Sequence, residues 1–238
     1  MSDRDRHQLP ERSSRADIDA FLRQVATLSR VKPTGRRGRL IFAMDATASR
    51  ERTWDRASHI QSQMFQATAA LGGLEIQLCF YRGYRELETS PWLTDTGALQ
   101  RQMTAVSCAA GYTQIERILA HTLEETRNKR VNALVFVGDC MEEDPDRLGH
   151  LAGQLGALGV PGFVFQEGDD PIAERSFREI ARLSKGAYCR FDASSASQLR
   201  DLLSAVAVYA SGGRQALERF GKERGGIALQ LTREIDER

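Results

Sequence analysis

The sequence of 238 residues contains no apolar run of the roughly 20 residues that a membrane helix requires. Its charges nearly cancel, with 33 Lys and Arg against 32 Asp and Glu, so no overall charge attracts nucleic acid or an anionic membrane. Residues 1–6 lead into polar sequence and not into the apolar core of a signal peptide. We therefore expect a cytoplasmic protein that binds neither nucleic acid nor a membrane.

Cysteines are few, and the sequence also lacks the common catalytic motifs. The four cysteines form neither a Cys-x-x-Cys pair nor the Cys and His cluster of a zinc site. We expect reduced thiols, with Cys79 and Cys189 buried and Cys140 exposed enough to react. No Walker A loop, GxSxG elbow or HExxH helix occurs, and no His pairs with a Ser or Cys nucleophile. These absences argue against the familiar hydrolases and nucleotide-binding enzymes.

The segment RLIFAMDATAS, residues 39–49, is an apolar stretch that ends in alternating acid and hydroxyl residues. Residues 40–44 are too few and too evenly apolar for an amphipathic helix, so they predict a buried parallel strand. Asp45, Thr47 and Ser49 follow at a spacing of two, at the strand end where ligands of doubly wound sheets collect. Their oxygens suit a hard cation such as magnesium. The alternative is an ordinary loop in which Ser49 caps the next helix.

Two further segments supply oxygen-bearing side chains. Thr113 lies in GYTQIE, residues 111–116, where a helical pattern begins, and Asp139 follows the apolar strand pattern of residues 131–137. Thr113 and Glu116 also form a capping-box pattern, so the alternative for Thr113 is a helix N-cap without metal. Three separate loops thus offer oxygen ligands.

With these residues in this order, the chain resembles the von Willebrand factor A (VWA) domain family and its metal-ion-dependent adhesion site (MIDAS). The family pattern is Asp-x-Ser-x-Ser, then a Thr in a Gly-rich turn, then an Asp after the fourth strand. Thr47 replaces the first Ser, and Gly138, Asp139 and Cys140 stand where the family has Thr-Asp-Gly. The resemblance covers residues 37–210.

The resemblance implies a bound magnesium or manganese ion. Its ligand set would be Asp45, Thr47, Ser49, Thr113 and Asp139. In the family, the two motif hydroxyls and sometimes the Thr of the turn touch the ion, whereas the two Asp carboxylates act largely through bound water. An Asp or Glu of a partner protein then completes the coordination.

The pattern of the whole chain predicts an α/β fold, with a doubly wound, mostly parallel central sheet, helices on both faces and one antiparallel edge strand. Strands are predicted at residues 40–44, 74–81, 84–89, 131–137, 163–165 and 187–191. Helices are predicted at residues 54–71, 144–158, 170–183 and 197–210, and a further helix is predicted to begin within residues 111–116.

We expect three parts in the chain: a polar extension at 1–36, the VWA-like domain at 37–210 and a C-terminal extension at 211–238. In the first part, residues 17–29 predict a helix that docks on the domain, and the basic run that follows it is a solvated linker rather than an RNA-binding arm. The last part shows a helical pattern and a strand-like pattern.

Acidic residues crowd the chain just after Asp139. They are Glu142, Glu143, Asp144 and Asp146. They form either an acidic rim that attracts cations and selects partners or the caps of neighbouring helices.

By resemblance, the favoured function is a protein-interaction module that is not an enzyme. Cytoplasmic members of the family commonly serve AAA-type ATPases, metal-insertion complexes or stress-response systems, which implies an adaptor role. One alternative is a magnesium-dependent phosphohydrolase with Asp45 as nucleophile, although Thr47 stands where such enzymes carry a second Asp. Another alternative is a metal-free structural scaffold.

Overall fold

The structure is a computed structural model that describes residues 37–50, 74–191 and 204–210, together with Phe21 and Gln24. Its strands are β1 Gly38–Asp45, β2 Leu74–Arg82, β3 Glu86–Thr89, β4 Ala133–Gly138, β5 Gly162–Glu167 and β6 Ala187–Phe191. Its α-helices are α1 Thr96–Ala105, α2 Ile115–Asn128, α3 Pro145–Ala157 and α4 Pro171–Leu183. A 3-10 turn lies at Ala48–Arg50, and residues 204–210 are helical.

The strands form one sheet in the order β3-β2-β1-β4-β5-β6. Every pairing is parallel except that of β3 with β2, which places one antiparallel strand at the edge. The predicted fold class is thereby confirmed. The chain turns from one side of β1 to the other between β2 and β4, so the switch point of the sheet lies between β1 and β4. Asp45 ends β1 and Asp139 follows β4, so both flank that crevice.

Both faces of β1 are buried, because successive side chains of a strand point to opposite faces. Leu40, Phe42 and Met44 belong to one apolar core, and Ile41 and Ala43 belong to the other. The second core is covered by apolar residues of α2, α3 and α4. A strand that is covered on both sides reads as a continuous apolar run, which is why residues 40–44 could be recognised.

Phe21 connects the N-terminal segment to the first core. Its ring is buried, with its centroid 5.3 Å from that of Phe165 and 6.0 Å from that of Phe163. Residues 204–210 are buried in the same core. Docking of the N-terminal segment on the domain is therefore confirmed at Phe21, whereas the rest of residues 17–29, apart from Gln24, lies outside the described residues.

Several predicted boundaries differ from the observed ones. Strand β3 begins at Glu86 and not at 84, because Gly83 and Arg85 have positive φ values of 58° and 59° in the hairpin turn. Strand β4 begins at 133 and not at 131. The sequence analysis missed α1, a short helix that Asp95 caps by accepting a hydrogen bond from the backbone N–H of Ala98.

Some predictions concern residues that the structure does not describe. They are the helix at 54–71, the first part of the helix at 197–210, the linker at 30–36 and both elements of the C-terminal extension. In the described part of the chain, no helix has both the length and the apolar character needed to span a bilayer.

Candidate metal centre

Asp45 is fully buried at the carboxyl end of β1, and both of its carboxylate oxygens accept hydrogen bonds. Oδ1 accepts from the backbone N–H of Thr47 at 2.7 Å, and Oδ2 accepts from the hydroxyl of Tyr81 at 2.9 Å. Burial raises the pKa of Asp45, and the charge of Asp139 raises it further, although the hydrogen bonds to Thr47 lower it. The hydrogen bonds that the protein supplies therefore do not fully offset the cost of burying the charged carboxylate of Asp45.

Thr47 and Ser49 bring two hydroxyls together in the loop that leaves β1. Their Oγ atoms are 3.0 Å apart, with Thr47 buried and Ser49 exposed. Thr47 forms a parallel bridge with Ala109, whose backbone N–H donates to the carbonyl of Ala46 at 3.1 Å. The loop that follows α1 therefore fixes the hydroxyl pair beside the strand end.

Asp139 lies in the loop directly after β4, next to Asp45. Its Oδ1 atom is buried and has no hydrogen-bond partner among the residues that the structure describes. Asp45, Asp139 and Cys140 each offer one potential ligand atom, and these three atoms lie within 4.8 Å of one another. A buried carboxylate oxygen without a partner, beside a second carboxylate, is what a cation would stabilise. The residues present therefore fit a divalent ion.

Cys140 was expected to be reactive, and the structure does not favour this. The residue is half-buried, and burial together with the charges of Asp139 and Asp45 raises the pKa of its thiol to about 12. The thiolate that a reactive cysteine needs is therefore disfavoured in the metal-free protein. The expected burial of Cys79 and Cys189 is confirmed.

Thr113 is buried and bonded to the loop that follows Asp139. Its backbone N–H donates to Oε2 of Glu142 at 3.2 Å, and its Oγ1 accepts from the backbone N–H of Glu142 at 3.1 Å. The N-cap of α2 is Gln114, whose side chain makes no capping bond. The capping-box alternative for Thr113 is thus wrong, and its hydroxyl connects two of the predicted ligand loops.

Glu143 caps α2 from a different loop. Its carboxylate accepts hydrogen bonds from the backbone N–H groups of Ile115 at 2.6 Å and Glu116 at 2.9 Å. Asp144 caps α3 by accepting from the backbone N–H of Asp146 at 2.9 Å. The capping interpretation of the acidic cluster is confirmed for Glu143 and Asp144. The loop after β4 is thereby fixed against the loop that carries Thr113.

Glu143→Ala is expected to lower the free energy of unfolding by about 1–2 kcal/mol, because two N–H groups at the start of α2 lose their acceptor. Urea unfolding measures the loss. Glu124→Ala, on the exposed side of the same helix, is the control and should change stability by no more than about 0.5 kcal/mol. Equal losses in the two variants would contradict the capping role.

Sequence reasoning missed two residues that support Asp45. Tyr81 is its register partner on β2, a relation that follows only from strand pairing. Arg50 is buried, and its Nη1 donates to the carbonyls of Asp45 at 2.8 Å and Val137 at 3.4 Å, while its Nε donates to Glu167 at 3.1 Å. The available signal was a basic residue directly after the ligand motif. Arg50 connects the carboxyl ends of β1, β4 and β5.

The structure thus places the predicted residues at the carboxyl ends of the parallel strands. Asp45 and Asp139 lie side by side, the hydroxyls of Thr47 and Ser49 adjoin Asp45 through the loop, and Thr113 is connected through Glu142. Their coordination of an ion stays a prediction.

Comparison with solved structures identifies the fold as that of VWA domains. A von Willebrand factor type A protein from Catenulispora acidiphila superposes with a TM-score of 0.56 at 14% identity, covering 72% of this chain and 43% of that one. Proximal thread matrix protein 1 of the mussel byssus, solved with a zinc-occupied MIDAS motif, gives 0.56 at 12% identity, covering 72% and 46%. The manganese-loaded TRAP protein of Plasmodium vivax gives 0.52 at 14% identity, covering 74% and 76%.

These identities are low. The first two proteins are much longer than the matched region, and this chain spans less than half of their length. No protein-family model matches the sequence, and no curated protein matches it. The comparisons therefore establish the VWA fold, and two of the similar structures hold a divalent metal.

Proposed function

We propose that the protein is an interaction module that binds a divalent cation at a MIDAS-like centre and captures a carboxylate of a partner protein. The observation that carries the proposal is the convergence of two carboxylates, one fully buried and one with a buried oxygen that lacks a partner among the described residues. Zinc in the MIDAS motif of the mussel protein and manganese in the Plasmodium protein support the binding of a divalent ion.

Taken alone, the oxygen donors of the centre favour magnesium or manganese. The hydroxyls of Thr47, Ser49 and Thr113 would contact the ion, and Asp45 and Asp139 would act largely through bound water. Hydrogen bonds from Thr47 and Tyr81 occupy one lone pair on each oxygen of Asp45 and leave the others available for water. When bound, the ion supplies an electrophilic position for an Asp or Glu side chain.

The same geometry argues against the phosphohydrolase alternative. A nucleophilic carboxylate must reach the phosphorus atom of its substrate, and Asp45 has 0% of its surface exposed. Both of its oxygens are also held by donors. We therefore propose a module that is not an enzyme. From the resemblance to cytoplasmic VWA proteins, we further propose an adaptor that acts in the cytoplasm, with an AAA-type ATPase or a stress-response complex as its partner.

Calorimetric titration of the purified protein with magnesium and manganese tests the centre. We expect saturable binding that Thr47→Val weakens roughly tenfold or more, since the variant keeps the shape and removes the hydroxyl. Thr122→Val is the matched control, because Thr122 is equally buried and its hydroxyl bonds only within α2, to the carbonyl of Ile118. Absence of binding in the wild-type protein would favour the scaffold alternative.

Acetate serves as a stand-in for the partner's carboxylate. In the manganese-loaded protein, acetate should displace a bound water and lower the relaxation enhancement of water protons. An enhancement that stays unchanged up to high acetate concentration would contradict the open coordination position.

A further inference from the structure

We propose that the sulfur of Cys140 is an additional ligand at this centre and makes it selective for a softer divalent cation of the zinc and cobalt class. This inference rests on the proposed metal centre and specifies which ion the centre prefers. Cys140 stands where the related pattern has glycine, so this donor is a property of this chain.

The position of the sulfur carries the proposal. Ligand atoms of Cys140, Asp45 and Asp139 lie within 4.8 Å of one another. Zinc bonds of about 2.1 Å to oxygen and 2.3 Å to sulfur at tetrahedral angles place neighbouring ligand atoms about 3.4–3.6 Å apart. Side-chain movements that shorten the widest of the three separations by roughly 1 Å would therefore complete the coordination shell.

The surroundings of Cys140 differ from those of the other described thiols. Within the described residues, Asp45, Asp139 and Cys140 form the one cluster of three potential metal ligands drawn from His, Cys, Asp and Glu. Cys79 and Cys189 are buried within strands β2 and β6. Asp139 adds an independent sign of a cation-binding position, because its buried Oδ1 has no hydrogen-bond partner among the described residues.

The chemistry of the donor set defines the preferred ion. With zinc or cobalt, the two carboxylates would bind the ion directly instead of through water, so two carboxylates and one thiolate would give three protein ligands and one open position, as in zinc sites that exchange their fourth ligand. On binding, a metal–sulfur bond forms and the thiol proton passes to the buffer, with no change in oxidation state. A thiolate strengthens binding of zinc and cobalt much more than that of magnesium.

Cobalt is the probe, because a cobalt–thiolate bond produces a charge-transfer band in the near ultraviolet. We expect wild-type protein titrated with cobalt to show this band, and Cys140→Ser to lose it. Cys108→Ser is the matched control, since Cys108 is also half-buried, and it should keep the band. Zinc affinity, measured by competition with a chromogenic chelator, should fall roughly tenfold or more in Cys140→Ser, whereas manganese affinity should change little.

The outcomes separate this inference from the function on which it rests. Cobalt that binds by calorimetry without a charge-transfer band would overturn the role of Cys140 and leave the metal centre intact. A wild-type protein that binds none of the four ions would overturn the centre itself. Cys140→Ala, which has no hydroxyl to substitute for sulfur, provides a second variant, and circular dichroism verifies that each variant is folded.

Discussion

Arg50→Met is expected to lower the free energy of unfolding of the metal-free protein by about 3 kcal/mol. The guanidinium is fully buried and forms an ion pair with Glu167, whose side chain is 14% exposed. Removal of Arg50 leaves that carboxylate without this partner, and the carbonyls of Asp45 and Val137 without this donor. Burying such groups without compensation is among the few mechanisms that produce a loss of this size. Urea unfolding at neutral pH measures it.

A double-mutant comparison distinguishes the ion pair from the packing of the long side chain. Glu167→Leu combined with Arg50→Met removes both charges, so the double variant should lose less stability than the sum of the single variants. Arg182→Met is the matched control, because Arg182 lies on the exposed face of α4 and pairs with Glu179 in solvent. That substitution should change stability by about 1 kcal/mol or less. If Arg50→Met has no larger effect than this control, the buried pair does not hold the strand ends together.

Much of the fold could be predicted because local signals agree with the final arrangement. Asp144 and Asp170 each precede a proline and cap the helix that begins there, so α3 and α4 were placed almost to the residue. Strand β1 is a continuous apolar run because both of its faces are buried in the sheet. The antiparallel edge strand followed from its hairpin turn.

The predicted ligands also reach one edge of the sheet for a simple reason. Asp45 and Asp139 follow strands that turn out to be parallel neighbours, with Met44 paired to Val137, so both chains leave the sheet at the same place. A spacing rule combined with sheet topology was enough to bring them together.

The supporting residues could not be predicted, because their partners are distant in sequence. Tyr81 donates to Asp45 across 36 positions, and Arg50 reaches Glu167 across 117. The cap of α2 shows the same limit. Local pattern assigned it to Thr113, whereas Glu143, 28 positions beyond Ile115, supplies the acceptor. A local motif cannot exclude a competing donor or acceptor that the tertiary fold delivers.

Asp45→Asn is expected to abolish detectable magnesium and manganese binding while leaving the metal-free protein more stable, by about 1 kcal/mol at neutral pH. Asparagine has nearly the same shape as aspartate, so its Oδ1 can accept from the N–H of Thr47 and its Nδ2 can donate to the hydroxyl of Tyr81. The negative charge beside Asp139 disappears, and with it the attraction for a cation.

The direction of the stability change follows from the raised pKa of Asp45, whose largest cause is burial. An acid with a higher pKa in the folded state retains its proton more readily there than in the unfolded chain. Its ionisation therefore destabilises the fold as the pH rises above the ordinary value of 3.8. The greater stability of Asp45→Asn relative to wild type should accordingly be present at neutral pH. It should disappear as the pH falls toward 3.8.

Thermal unfolding with and without metal tests both halves of this prediction. Saturating magnesium should raise the melting temperature of the wild-type protein, because a ligand that binds only the folded state stabilises it by mass action. The melting temperature of Asp45→Asn should not respond, and that of the exposed control Asp169→Asn should respond as wild type does. A metal-free Asp45→Asn protein that is clearly less stable than wild type would mean that the carboxylate contributes to folding through its hydrogen bonds. The combination of greater stability and lost binding would instead show that the chain retains a destabilising buried charge for the ion that it holds.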